Sequence, residues 1–88
     1  MGSELRLLEE SIERFNEWMM GDMEAVVEEV DGDRAVILVT QGCGCSLDFS
    51  VREELEGAFR DSGLRASIES IDWDAERGGY RVVVRLGV

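Results

Sequence analysis

Apolar residues recur near the start of the chain at alternating spacings of three and four. Leu5, Leu8, Ile12, Phe15 and Met19 therefore share one side of a helix, and Glu9, Glu10, Glu13, Arg14 and Glu17 fill the other. The spacing predicts a helix over residues 4–20, with Ser3 as N-cap and Gly21 just past its end. Trp18 and Met20 flank the stripe and are expected against a sheet or a partner. The period then shortens. Met23–Val30 and Arg34–Thr40 are Val-rich runs joined by Asp31-Gly32-Asp33, which predicts a hairpin. In the second run Val36 and Leu38 alternate with Ile37 and Val39, so both faces are apolar and an interior strand is expected.

A second helical stripe, Val51, Leu55, Ala58 and Phe59, predicts a helix from about Leu47 to Ser62, ended by Gly63. Ser50-Val51-Arg52-Glu53 fits a capping box, with Ser46 or Asp48 as earlier starts. Arg65–Trp73 and Tyr80–Leu86 then read as a second hairpin around Asp74–Gly79. Tyr80, Val82, Val84 and Leu86 should face one way, and Arg81, Val83 and Arg85 the other. The expected architecture is a single α+β domain over residues 1–88. It is a two-layer αββαββ sandwich, with two helices on one face of a four-stranded, largely antiparallel sheet. Each half is one helix followed by one hairpin, a weak pseudo-repeat without residue-level identity.

Composition narrows the function. The 88 residues carry a formal net charge of −11. Nucleic acid and anionic membrane surfaces are poor partners for such a chain, because phosphate binding needs clustered cations. All nine basic residues are Arg, and there is no Lys, His or Pro, with one Asn and one Gln. This bias suits a hot or a high-salt environment, or a GC-rich genome. Without His there is no Ser-His-Asp triad, no Cys-His nucleophile pair and no His-ligated zinc within the chain. No apolar run approaches the ~20 residues of a membrane helix. Met1-Gly2-Ser3-Glu4 lacks the basic and apolar regions of a secretory leader, so a cytoplasmic location is expected.

The chemistry concentrates in Thr40-Gln41-Gly42-Cys43-Gly44-Cys45-Ser46, between the interior-strand pattern and the second helix. Thiolates suit iron–sulfur clusters and soft metal ions. One intervening residue lets Cys43 and Cys45 point to the same side of an extended segment. A two-fold dimer would supply both cysteines from each chain and complete a four-ligand set. The helix N-terminus favours thiolates, while the acidic surroundings oppose them. Two other readings stay open. The pair can form a strained, easily reduced disulfide, or two small side chains can simply fill a turn.

Several stretches together resemble the NifU-type C-terminal domain, a scaffold and carrier for iron–sulfur clusters. They are the acidic hairpin Val27-Glu28-Glu29-Val30-Asp31-Gly32-Asp33, the strand Ala35-Val36-Ile37-Leu38-Val39-Thr40, Gly42-Cys43 leading into Val51-Arg52-Glu53-Glu54-Leu55, and Ala66-Ser67-Ile68-Glu69-Ser70-Ile71. The resemblance spans Gly21 to Ile71. It implies a small cluster or metal carrier that ligates through Cys43 and Cys45, acts on a client protein, forms a homodimer and has no catalytic residues. The family separates its cysteines by two residues, whereas Gly44 alone separates these. The proline common after the thiols is missing, and Tyr80–Leu86 runs beyond the family's usual end. The rival expectation is an acidic protein–protein interaction module without metal, binding through an open sheet face or a helix.

Remaining candidates carry less chemistry. Asp31 and Asp33 begin like a calcium loop, but Ala35 and Gly42 stand where two later ligands belong, so a polar turn is expected. Asp72, Asp74 and Glu76 read as a solvated turn before a weak divalent site. Arg81 and Arg85, with Arg65, are expected to form a basic strip or to pair with neighbouring carboxylates. Trp18 and Trp73 are expected in core or edge packing.

Overall fold

A computed structural model describes residues 2–19, 21, 23–41 and 48–87. The first helix, α1 (Gly2–Met19), leads into strands β1 (Met23–Asp31) and β2 (Arg34–Gln41). The second, α2 (Asp48–Ser62), leads into β3 (Ala66–Asp74) and β4 (Gly79–Leu86). The four strands form one antiparallel sheet in the order β1-β2-β4-β3. The fold is α+β, as the two periods require. Each hairpin pairs locally, and the hairpins join through β2 and β4, which become the interior strands. Tyr80–Leu86 is thus no appendage: β4 is the strand that connects β3 to the rest of the sheet.

Local chemistry accounts for most boundaries. Gly32 takes a φ of 62° in the β1–β2 turn, a conformation that costs glycine little. α2 ends in a Schellman arrangement. Gly63 has a φ of 79°, its N–H donates to the Arg60 carbonyl, and the Leu64 N–H donates to the Phe59 carbonyl at 2.8 Å. Leu64 is itself buried, which supplies the apolar contact that accompanies this cap. Two expected caps are corrected. α1 begins at Gly2 and α2 at Asp48, so Ser3 and Ser50 lie inside first turns, not before them. The second hairpin shifts by one residue, since Arg65 precedes β3 and Asp74 belongs to it.

One apolar cluster joins all six elements. It contains Leu8, Ile12 and Phe15 of α1, Val51, Leu55, Ala58 and Phe59 of α2, and one set of alternating strand residues. That set includes Ala25, Ile37, Val39, Ile68, Val82 and Val84, and the cross-strand pairs Ala25–Val39, Ile37–Val82 and Ile68–Val84 fix it to one face of the sheet. The radius of gyration, 11.9 Å, agrees with the roughly 12 Å of a single domain of this length. Burying Phe15 and Phe59 completely stabilises the fold by about 2–3 kcal/mol each.

The helices run antiparallel. Arg14 pairs with Asp61 at 2.7 Å, and Trp18 lies against Gly57, where an added Cβ would sit 3.7 Å from Trp18 Cζ3. The expected α1 stripe is trimmed at its ends. Leu5 is 40% exposed and Met19 half-buried, while Ser11 is fully buried and returns its hydroxyl to the Leu7 carbonyl at 2.8 Å. Trp18 and Trp73 are both about half exposed, so neither is a core residue. Trp73 packs edge-to-face on Tyr80, with ring centroids 5.1 Å apart.

Candidate functional site

The expected ligands Cys43 and Cys45 lie outside the described residues, as do Gly42, Gly44, Ser46 and Leu47. Their neighbours in the chain are described. β2 stops at Gln41 and α2 starts at Asp48, so residues 42–47 lead from an interior strand to a helix N-terminus. An N-terminus of this kind carries unpaired N–H groups and a positive partial charge.

The second region is the sheet face opposite the core. Strand alternation, shifted in β1 by the bulge between Val27 and Glu29, brings Glu24, Val26, Glu29 and Asp31 to this face, with Arg34, Val36, Leu38 and Thr40 of β2. Arg81, Val83 and Arg85 of β4 complete its middle. Along the interior strands Leu38 stands opposite Arg81, Val36 opposite Val83, and Arg34 opposite Arg85. Val36, Leu38 and Val83 are only half-buried, and Val26 is 51% exposed. The two interior strands thus set valines and a leucine among three arginines, while β1 lines one side with carboxylates. An open groove of about 300 Å³ runs over Val36 and Val83 between Glu29, Asp31, Arg34 and Arg81.

Two like charges directly opposed across strands repel, so Arg34 beside Arg85 requires a compensating group. β3 supplies it through a register irregularity between Ile68 and Ser70. Glu69, the unpaired residue there, reaches both cations. Its Oε1 lies 3.3 Å from Arg34 Nε and its Oε2 3.9 Å from Arg85 Nη1. Arg85 also donates from Nε to Asp33 Oδ2 at 3.3 Å. Arg77, from the turn before β4, pairs with Glu28, the extra residue of the bulge in β1. Arg81 has no ion pair within 4 Å among the described residues. These exposed pairs are each worth about 0–1 kcal/mol, so they orient the face more than they hold the fold.

The expected basic strip is therefore rearranged. Arg81 and Arg85 share the face as the alternation predicts, but Arg65 precedes β3, and Arg34 takes the third place. Arg34 alternates outward with Val36 and Leu38, whereas strict alternation would set Glu29 on the core side with Ala25 and Val27, and the bulge at Glu28 turns it outward. That they meet Arg81 across the interior pair depends on β2 lying next to β4, which local periodicity does not encode. Asp33 serves as a partner of Arg85. Asp74 Oδ1 accepts the Glu76 and Arg77 N–H groups at 3.1 and 3.2 Å, closing the β3–β4 turn. Among the described residues, no three Asp, Glu or Cys side chains gather in a way that would hold a metal ion.

The sheet edges are guarded. Asn16 of α1 accepts the Ala25 N–H at 2.7 Å and donates to the Ala25 carbonyl at 3.1 Å, so a side-chain amide occupies the outer edge of β1. Bulges at Glu28 and Glu69 interrupt both edge strands, and Glu24, Asp72 and Asp74 add charge. Such features discourage strand addition. Among the described residues, no helix is long and apolar enough to cross a membrane. Neither family models nor curated proteins nor solved structures give a match to this chain.

Proposed function

We propose that this protein is a small cytoplasmic carrier of an iron–sulfur cluster or soft metal ion, similar in role to the NifU C-terminal domain, and not an enzyme. Cys43 and Cys45 are its ligands, paired with the same residues of a second copy. The observation that supports this reading is the position of the cysteines in the chain, between the end of an interior strand at Gln41 and the start of α2 at Asp48. As a carrier it would hold the cluster or ion on thiolates and pass it to a client apo-protein. This chain would contribute two thiolates and a helix N-terminus whose N–H groups favour the ionised sulfurs.

Anaerobic reconstitution with iron and sulfide tests it. Visible charge-transfer bands and bound iron that survive desalting, at about one cluster per dimer, are expected, with both lost in the Cys43→Ser/Cys45→Ser variant. A colourless, iron-free protein with fully reduced thiols removes the cluster reading.

A second reading has its own support. The open face of β2 and β4, with half-buried Val36, Leu38 and Val83 among arginines, suits an acidic protein–protein interaction module that needs no metal. Under that reading the cysteine variant keeps every partner interaction, and substitutions on the face remove them.

A further inference from the structure

We infer that the groove over Val36 and Val83 docks a short protein segment presenting one apolar side chain between an acidic and a basic one. The inference rests on the interaction-module reading and names its partner's chemistry. Charge complementarity carries it. The groove is bipolar: Arg81 and Arg34 stand on the interior strands, and Glu29 and Asp31 on β1. Arg34 already shares Glu69, whereas Arg81 has no ion-pair partner among the described residues, although Asp72 stands opposite it on β3. A carboxylate of the occupant meets Arg81, its cation meets Glu29 and Asp31, and its apolar group covers the two valines. A purely acidic segment would meet the β1 carboxylates, and a purely basic one would meet Arg34 and Arg81. The guarded edges of β1 and β3 direct a partner to this face in place of strand addition. At about 300 Å³ the groove matches the small end of ligand-sized sites, enough for a few side chains of a segment.

The test is selection of a displayed random peptide library on the intact, immobilised chain, followed by affinity measurement of the enriched peptides. Expected are peptides with an acidic–apolar–basic pattern, weakened about tenfold or more by Arg81→Glu and again by Glu29→Arg, as for loss of a charged contact. Circular dichroism of both variants confirms that these exposed substitutions leave the fold intact. Peptides of uniform charge, or neutral ones, that still lose affinity on Val83→Asp overturn the named partner and leave the face as an interaction surface. Peptides indifferent to all three substitutions, or no enrichment at all, overturn both.

Discussion

Replacing Asn16 by Ala tests how the helix layer holds the sheet edge. Asn16 makes two hydrogen bonds to one residue of β1, accepting from the Ala25 N–H at 2.7 Å and donating to its carbonyl at 3.1 Å. Each is worth about 0.5–1.5 kcal/mol net. Ala25 is only 2% exposed, so its two backbone groups lose their partners where water reaches them poorly, which raises the cost toward the upper end. Alanine is the better helix former by about 0.6 kcal/mol and returns part of the loss. The expected destabilisation is about 2 kcal/mol, or a fall in Tm of about 10 °C for a domain of this size. Urea unfolding followed by tryptophan fluorescence and circular dichroism measures it, with an unchanged m-value indicating that only stability has moved. Hydrogen exchange adds a local readout: the Ala25 amide should lose protection while the β2 amides bonded to β4 keep theirs. A change below about 0.5 kcal/mol, with Ala25 still protected, would show that the amide clamp is not a structural bond and refute the argument. The variant should also associate more readily at high protein concentration, since it uncovers an edge.

Three further outcomes follow from specific contacts. Gly79→Ala should cost about 2–4 kcal/mol in a thermal melt, because its Cβ would lie 2.6 Å from the Val39 carbonyl oxygen and 3.0 Å from Thr40 Cγ2 inside the sheet. Gly57→Ala should stabilise by about 0.5–1 kcal/mol, since the site is helical and the nearest atom, Trp18 Cζ3, is at an ordinary 3.7 Å; a destabilised variant would mean that Trp18 needs the bare backbone. Raising salt from about 0.02 M to about 0.5 M should raise Tm, because screening relieves the repulsion of a net charge of −11; a flat or falling Tm would show that the ion pairs of the open face outweigh it.

How much of this could be read in advance differs between fold and site. The elements were legible because their cause is local. Alternating three- and four-residue spacings specify α1 and α2, period-two runs specify four strands, and Gly32 and Gly63 mark turns whose φ only glycine adopts cheaply. The ends of α1 were less legible, because Leu5 and Met19 obey the helical spacing but lie where the core gives out, while the polar Ser11 is fully buried. Cys43 and Cys45 were the clearest chemical candidates in the chain, yet they lie outside the described residues, and their role stays a proposal.

The sequence by itself determined the α+β class, the order of six elements and which residues of the two interior strands share a side. Those follow from the direction of each Cβ and from turn chemistry, which act over a few residues. Only the tertiary structure decided that β2 and β4 are neighbours, that Arg34 faces Arg85 with Glu69 between them, and that Asn16 closes the edge of β1. Each of these brings together residues far apart in the chain, and which of them meet depends on strand order and register, which no local period carries.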